Sequence, residues 1–523
     1  MFGSRTRRRP RARRPDAVQK PRGTFHPRVR KVGPEHFGIV SVDCAKARSK
    51  WMLADFFGTI LVPPAVVEHN RVALAEAVAR LRQAVRDHDL RDLLVAVERT
   101  DRYHHTVRRA FAAAGFETRI VHPFATSRLR QPSDPGDKTD DTDLAAIHRA
   151  AVNGFALVEH GLHEEWTTFQ LLIRHRRDLV KKAAVLRVQA REHLDAALPG
   201  FAACFDDLWD RDCALHLARR FASPADLHAA GLDGLCRSLD DAGVRFQRRT
   251  LRPVLEWAAQ AAAPDLGAAA RRRFALALDD DRAQKGRDIQ ALERDIAAAL
   301  ARTPYVPLLS FPGVNVVSAA DFAGEMGPIV YYANARAITG RAGLRPSRYQ
   351  SDQVDKADGP LVRCCNRKLR AALLRIADNL IQCNHHFHAL AHRWKEQGKD
   401  PRHTHVRAAS RFCRIAFQIV AGRQVFRHPG LQGRHDILDK LLAFHREHET
   451  GAAEQLQDLR AAIARRPRHE HAAEAAPLHE ELQRIQRGGR RGPQLLGDIL
   501  PMVLARLGVG GVQSTKSGED DLT

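Results

Sequence analysis

The sequence predicts an α/β domain near the N-terminus, a long helical arm after it and an all-α domain in the C-terminal half. Apolar residues alternate with a period of two over residues 37–62, a pattern typical of half-buried strands. Residues 163–197 and 268–302 instead repeat apolar side chains every three or four positions, over lengths typical of an antiparallel coiled-coil arm. Shorter helical patterns then form a compact unit over residues 304–424.

In the N-terminal domain, an initial three-strand meander gives way to alternating helices and strands. Predicted strands cover residues 37–43, 51–55, 59–62, 93–97 and 118–122. Helices are predicted over residues 70–87 and in the stretch that ends near Gly115. This order of elements indicates an α/β layer with a mixed sheet.

Length and charge limit the class of protein. With 523 residues, the chain has room for two to four domains of about 100 to 200 residues each. It carries 84 Lys and Arg against 61 Asp and Glu, a formal net charge of +23, and such a field attracts polyanions. Nucleic acid is therefore the expected partner.

Much of the positive charge lies at the N-terminal end. Residues 1–35 hold 12 Arg or Lys against Asp16 and Glu35. We predict a disordered basic arm that binds nucleic acid with release of counterions. A targeting peptide is the alternative, but no apolar segment follows the basic run.

Hydropathy and cysteine usage indicate a cytoplasmic protein. No run of 18 apolar residues occurs in the sequence, so we expect no membrane span. The eight cysteines form no C-x-x-C pair, which suits reduced thiols and predicts neither disulfides nor zinc. A further group, Cys383, His385, His386, His388 and His392, is scattered over several helix faces, and we predict no metal site there.

Acidic residues occur where ligands of a divalent cation are expected. Asp43 closes the first strand, and Glu98 closes the buried strand at residues 93–97. Asp140 and Asp143, three residues apart, share one face of a helix. Mg²⁺ needs hard oxygen ligands from several elements, and these carboxylates can supply them. The alternative is that Asp43 is a turn residue at the end of a strand, and that Asp140, Asp141 and Asp143 complement a helix dipole behind the Thr139 cap.

A second candidate site lies in the C-terminal half. Residues 311–319 look like the hairpin of a helix-hairpin-helix, in which glycine lets backbone amides approach a phosphate. Ser351 follows, and on its own it would be interpreted as a loop serine. Basic residues that we predict to contact phosphate, with a solvated surface as the alternative, are Arg363, Arg367, Lys368 and Arg370.

Three N-terminal segments carry a family resemblance: residues 38–43 (GIVSVD), 97–104 (VERTDRYH) and 138–145 (KTDDTDLA). They resemble the DEDD-type transposases of insertion-sequence family one hundred and ten, whose N-terminal domain is RuvC-like, a relative of RNase H. The resemblance implies that four catalytic carboxylates bind Mg²⁺ or Mn²⁺. They are Asp43, Glu98, Asp140 and Asp143.

The C-terminal half is similar to the transposase domain of the same family. The similar segments are residues 332–346, 349–351 and 366–373. By this resemblance, Ser351 is the nucleophile that forms a covalent phosphoserine link to DNA. The sequence departs from the family pattern at Asp352, which replaces a glycine, and at Cys364-Cys365, which replace a Gly-Asn-Pro turn.

The resemblance implies a DNA recombinase that joins donor and target DNA under the guidance of an element-encoded bridge RNA. The working complex would be a homo-oligomer, from dimer to tetramer. It would act in the bacterial cytoplasm, associated with the nucleoid when bound to DNA. Two alternatives are a RuvC-like hydrolytic junction nuclease and a nucleic-acid-binding relative without catalysis.

We therefore predict five segments along the chain. They are a disordered basic arm (1–35), a RuvC-like DEDD domain (36–160), a helical coiled-coil arm with an insertion (161–303), a serine transposase domain (304–425) and a helical polar tail (426–523).

Overall fold

A computed structural model of the chain describes residues 23–100, 102–130, 136, 138–159, 163–264, 266–351, 354–356, 359–426 and 437–465. The chain divides into two units, residues 1–161 and residues 162–523. Among the helices of the described residues, none has the length and apolarity needed to cross a membrane.

Unit 1, residues 1–161, is a mixed α/β domain. Its elements are α1 (His26–Val32), β1 (Phe37–Cys44), β2 (Arg48–Asp55), β3 (Ile60–Glu68), α2 (Arg71–Asp87), β4 (Asp92–Glu98), α3 (His104–Ala113), β5 (Thr118–Val121), α4 (Pro123–Arg130), α5 (Asp140–Val152) and β6 (Ala156–Leu157). The strand order is β3-β2-β1-β4-β5-β6, with β1, β4 and β5 parallel to one another. The predicted meander and mixed sheet are confirmed, and the domain is consistent with an RNase H-like fold.

Both faces of this sheet are covered, because successive side chains of a strand point to opposite sides. On one face Val40 packs with Leu81 of α2. On the other face Ile39 packs with Ile147 of α5. Burial on both faces accounts for the nearly continuous apolar run of β4, residues 93–97.

The stretch immediately before β1 differs from the expected disordered arm. Residues 26–32 form α1, and Phe25 is 2% exposed and stacks on Phe37 with ring centroids 5.1 Å apart. Arg28 Nε donates to Asp92 Oδ2 over 2.9 Å. The prediction of disorder is therefore wrong for this stretch, because its apolar side chains complete the sheet's core. The remainder of the expected arm, residues 1–22, lies outside the described residues.

Unit 2, residues 162–523, is mostly helical. Its elements are α6 (Glu164–Ala197), α7 (Asp212–Arg220), α8 (Pro224–Asp241), α9 (Arg248–Gln260), α10 (Ala268–Ala301), α11 (Val316–Met326), α12 (Ala335–Ala342), β7 (Tyr349–Ser351), β8 (Val354–Lys356), α13 (Arg367–Cys383), α14 (His385–Glu396), α15 (Thr404–Ala421), α16 (Ile437–Glu447) and α17 (Ala452–Ala464). The two long helices match the predicted ones to within one residue at each end.

Helices α6 and α10 pack against each other along their lengths and run in opposite directions. Near one end Arg176 forms an ion pair with Glu293. Near the other end the rings of His193 and Phe274 lie 5.6 Å apart. Higher residue numbers on α6 thus pair with lower residue numbers on α10, as in an antiparallel helix pair.

Two separate apolar cores lie at the two ends of this helix pair. At one end Leu194 and Ala275 join the core of the inserted helices α7, α8 and α9. At the other end Ile173 and Ile296 join a larger core, built with α11, α13 and α15 around Phe322. The insertion at residues 200–267 thus folds around its own core.

The Pro-Gly turn before α11 is packed inside unit 2. Gly313 has φ 86°, and a Cβ there would lie 2.9 Å from the carbonyl oxygen of Asn379 in α13. Lys440 Nζ donates to the carbonyl oxygen of Val314 over 2.7 Å, and Asn384 Nδ2 donates to that of Pro312 over 3.2 Å. Glycine is required here for the close approach of α13, and a phosphate contact at this turn stays a prediction.

Candidate functional site

The register of the sheet determines the relative positions of two of the four predicted carboxylates. Strands β1 and β4 are parallel, with Val42 paired to Val97. The next residue on each strand is acidic, Asp43 on β1 and Glu98 on β4. Their side chains therefore lie side by side near the carboxyl ends of two central strands.

The other two carboxylates come from the first turn of α5, which packs against β1 and β4. Thr139 caps this helix by accepting from the backbone N–H of Thr142, whose hydroxyl in turn accepts from the N–H of Thr139. This reciprocal cap fixes the start of the helix, so Asp140 and Asp143 lie on one face of a defined turn. Asp140 is exposed, whereas Asp143 is buried.

These four side chains, the acidic quartet, act on one another electrostatically. Burial raises the pKa of Asp43, and the charges of Asp143 and Asp140 raise it further. The charges of Asp140 and Asp143 thus disfavour ionisation of Asp43, as expected of like charges that share a site. Asp43 thus lies close enough to Glu98, Asp140 and Asp143 for them to act on it, and the role of the four as a metal site stays a prediction.

Glu98 shows the strongest effect within the quartet. Burial, together with the charges of Asp43 and Asp143, raises its pKa to about 7, although the neighbouring Thr126 hydroxyl acts in the opposite direction. A side-chain hydrogen bond between Glu98 and Asp43 raises the pKa of Glu98 and lowers that of Asp43. A proton is thus shared where two carboxylates would otherwise repel each other.

Two basic residues border the quartet. Arg130, at the end of α4, forms an ion pair with Asp143. Lys50 on β2 lies 2.8 Å from Asp141, the exposed neighbour of the quartet on α5. Among the described residues, Arg130 makes the one direct guanidinium contact with the quartet, so much of the quartet's charge is unbalanced. Oxygen donors from two strands and a helix fit a hard divalent cation.

Neither Arg130 nor Thr126 was singled out from the sequence. Both lie on α4, the helix before α5. The available signal was the basic run Arg128-Leu129-Arg130 ahead of the acidic helix. That run does not say which side chain turns toward the carboxylates, since this depends on how α4 packs on α5.

The chain was compared with known families and with curated proteins. Residues 40–199 match the family model of the IS110-type DEDD transposases, described as Transposase. Residues 306–392 match a second model, described as Transposase IS116/IS110/IS902 family. Both matches support an IS110-family transposase. No curated protein matches it.

The two matches fall on the segments whose resemblance was noted in the sequence, and in the same order. All four carboxylates of the quartet lie in the first match, and Ser351 lies in the second. The transposase is accordingly an enzyme that moves and recombines DNA, and DNA is its partner.

Ser351 ends β7, the first strand of a two-stranded hairpin. Its backbone pairs with Val354 of β8, and a bridge between Pro346 and Leu361 joins the chain on either side of the hairpin. The side chain of Ser351 and the neighbouring Asp352 lie outside the described residues. The nucleophilic role of Ser351 therefore stays a prediction from the sequence.

The predicted phosphate-binding residues fall into two groups. Arg363, Arg367 and Lys368 are exposed at and before the start of α13. Arg370 instead donates to the carbonyl oxygen of Ala342 over 2.9 Å and to Cys365 Sγ over 2.8 Å. Arg370 thus organises the loop before α13, and the three exposed side chains remain the better candidates for phosphate contact.

Proposed function

We propose that this transposase cuts and rejoins DNA with Ser351 as the nucleophile and the acidic quartet as its divalent metal site. One observation carries the proposal. Four carboxylates from β1, β4 and α5 share a site with unbalanced charge, within a segment that matches a DEDD transposase family. Mg²⁺ or Mn²⁺ is the proposed ion, because both favour oxygen ligands.

The residues of the quartet are arranged to bind a cation with little rearrangement of the backbone. Asp43 and Glu98 are held by strand ends, and Asp140 and Asp143 by a capped turn, so the ligands are preorganised. Glu98 gives up its shared proton when positive charge enters the site. A bound divalent ion would polarise the scissile phosphate and stabilise the charge that develops on its oxygens.

Covalent catalysis by Ser351 would divide the reaction into cleavage and rejoining. The serine oxygen bonds to phosphorus as the bond from phosphorus to the leaving sugar oxygen breaks. The serine proton is lost to a base, and the leaving oxygen gains a proton. A DNA hydroxyl then attacks the phosphoserine and restores the diester, so the bond energy is kept and no external energy source is needed.

Guidance by a bridge RNA and assembly into a dimer or tetramer are further parts of the proposal. They are supported by the family resemblance and by the net charge of +23. When base pairing reads the target, the protein is left to hold nucleic-acid backbones, a role that suits the exposed Arg363, Arg367 and Lys368. Helices α6 and α10 are the proposed coiled-coil arm of each subunit.

The decisive experiment compares two serine variants of the same loop. Ser351→Ala should abolish both the covalent protein–DNA adduct and recombination, while binding of RNA and DNA stays near wild type. Ser347→Ala is the matched control, four residues earlier on the other side of β7, and should retain both activities. Adducts are trapped by rapid denaturation of reactions with end-labelled DNA and are separated by gel electrophoresis.

Other outcomes favour the alternatives. Cleavage by Ser351→Ala at the wild-type rate, with no adduct in either protein, would identify a hydrolytic junction nuclease. Binding without cleavage by the wild type, in Mg²⁺ and in Mn²⁺ and with the flanking element RNA present, would identify an inactive relative.

A further inference from the structure

A second group of metal-ligand side chains lies in unit 1, apart from the acidic quartet. His104 and His105 begin α3, and Glu159 lies two residues after β6. One ligand atom from each of the three side chains lies within 4.8 Å of the other two. Residues more than fifty positions apart are thus brought to one point by the fold.

His104 is the most informative member of this group. Its side chain is 1% exposed, and its Nε2 atom has no hydrogen-bond partner among the described residues. Its Nδ1 atom lies 3.5 Å from the carbonyl oxygen of Thr100. A carbonyl oxygen only accepts, so the contact favours a proton on Nδ1 and leaves Nε2 with a free lone pair. A buried nitrogen without a partner is costly and calls for an explanation.

Glu159 presents a similar unused atom. Its Oε2 is buried and makes no hydrogen bond within the part of the chain that the structure describes. Arg108 Nε lies 3.3 Å away, close enough for an ion pair but without hydrogen-bond geometry. The carboxylate is therefore neutralised in part, while its lone pairs stay available.

His105 completes the group beside His104. The two imidazole rings lie 4.1 Å apart with an angle of 34° between their planes. Burial lowers the pKa of each ring, and the charge of the other histidine lowers that of His105 further. A lowered pKa favours the neutral imidazole, which is the form that binds a metal.

We propose that His104, His105 and Glu159 form a binding site for a divalent transition metal of the zinc class. Two imidazole nitrogens and one carboxylate oxygen favour Zn²⁺ or Co²⁺ over Mg²⁺. Three protein ligands leave one position for water. Small side-chain rotations close the remaining gap, since ligands about 2.0 to 2.1 Å from a tetrahedral ion lie roughly 3.4 Å from one another.

The site would tie the start of α3 to the chain beyond β6. Arg108 would move away from Glu159 as the ion enters, since its side chain is 20% exposed and has solvent to turn into. The inferred role is to fix the last segment of unit 1 against the sheet domain. This inference does not rest on the proposed function, because none of its ligands belongs to the acidic quartet.

The test uses the full-length transposase, stripped of metal with a chelator and then dialysed. Mg²⁺ is present in large excess to occupy the quartet, and Co²⁺ is titrated in as a spectroscopic probe. We expect one equivalent of Co²⁺ to produce visible absorption bands of low coordination number, which Zn²⁺ then bleaches by displacement. Circular dichroism of each variant checks that it is folded.

The chain has 27 histidines. Variants therefore have to separate this site from Co²⁺ binding by the others. Glu159→Gln and His105→Gln, both only partly buried, should weaken Co²⁺ binding at least about tenfold. His104→Gln should abolish the bands, and the other two variants decide the matter if it does not fold. The control is His88→Gln, an exposed position in the same unit, which should match the wild type.

Two results would overturn the proposal. One is equal Co²⁺ uptake by wild type, His105→Gln and Glu159→Gln. The other is loss of the bands in Asp140→Asn, which would place the Co²⁺ in the quartet. If Ser351 is not the nucleophile, the Co²⁺ titration is unchanged. The metal site and the serine chemistry are therefore tested independently.

Discussion

Two groups of buried carboxylates in this molecule have opposite electrostatic behaviour. In unit 1, burial and like charges raise the pKa of Asp43 and of Glu98. In unit 2, Asp321 and Glu325 of α11 are more deeply buried, at 3% and 0% exposure. Burial alone would raise the pKa of Glu325 too, but hydrogen bonds from Arg174 and Asn366 lower it instead.

The difference lies in the partners that the fold supplies. Arg177 contacts both acids of α11, at 3.2 Å from Asp321 Oδ1 and 2.9 Å from Glu325 Oε1. Arg375 reaches the other oxygen of Asp321 over 2.7 Å. Among the residues that the structure describes, the quartet has one direct arginine contact, between Arg130 and Asp143.

The acids of α11 are structural, whereas the unbalanced charge of the quartet supports its proposed role as a metal site. The acids of α11 join α6, α11 and α13 into one unit, and their charges are balanced within the protein. The acids of the quartet repel one another, which costs stability and is retained where a cation from outside is needed. Burial by itself does not distinguish the two cases.

The largest expected effect is on catalysis by the quartet. Asp140→Asn should slow DNA cleavage by about 10³-fold, since several kcal/mol of charge stabilisation are lost and each 1.36 kcal/mol is tenfold in rate. Asp141→Asn is the matched control, because its carboxylate pairs with Lys50 outside the quartet. Cleavage rates in Mg²⁺ measure both, and equal losses would show that helix charge, not the quartet, matters.

The next effect is on stability, with opposite signs in the two units. Glu325→Gln should destabilise the protein by about 3 kcal/mol, because it removes a fully buried charge that pairs with both Arg174 and Arg177. Glu98→Gln should stabilise the metal-free protein, because it removes a repelled charge. Calorimetric unfolding of both variants in the presence of a chelator is the measurement. A loss of stability in Glu98→Gln as well would contradict the difference between the two groups of acids.

The stability of the metal-free wild-type protein should also depend on pH through Glu98. The folded-state pKa of Glu98, about 7, lies above its unfolded value of 4.5. The folded state therefore holds a proton longer, and metal-free stability should fall as pH rises from 4.5 to 7, by an amount on the order of 2 kcal/mol. Unfolding by denaturant at a series of pH values should show this slope in the wild type and a smaller one in Glu98→Gln.

The smallest expected effect concerns the arginine of the quartet. Arg130→Gln removes the partner of Asp143 and should destabilise the metal-free protein by about 1 kcal/mol. Mg²⁺ should recover most of this loss if the ion takes over the role of the guanidinium. Arg128→Gln, two residues away and exposed, should have little effect. Melting temperatures with and without Mg²⁺ are the measurement.

Much of the fold could be predicted because long patterns average out local exceptions. The periods of residues 163–197 and 268–302 gave α6 and α10 almost to the residue. Asp43 and Glu98 were placed together because each closes a strand, and strand ends of one sheet lie near one another. The proximity of Asp43 and Glu98 therefore follows from the order of strands in the sheet, which the sequence pattern indicates.

Other features depend on tertiary packing that no local pattern encodes. Residues 23–35 look like the end of a basic arm, yet Phe25 and Val29 fill a gap beside the sheet. Arg370 looks like a phosphate ligand, yet its guanidinium binds the loop that ends α12. Arg130 has no sequence mark that distinguishes it from Arg128, because helix rotation alone decides which one reaches Asp143.

The pairing of α6 with α10 also sets a length. Each helix has 34 residues, and at 1.5 Å per residue each spans about 51 Å. The residues that join the two cores, Ile173 and Leu194 on α6, are 21 positions apart, so the inserted core lies about 32 Å along the helix from the core around Phe322. Measured along duplex DNA at 3.4 Å per step, the same distance covers roughly 9 base pairs, a little less than one helical turn. Shortening both helices by equal numbers of turns would move the inserted core toward the core around Phe322 by about 5.4 Å per turn.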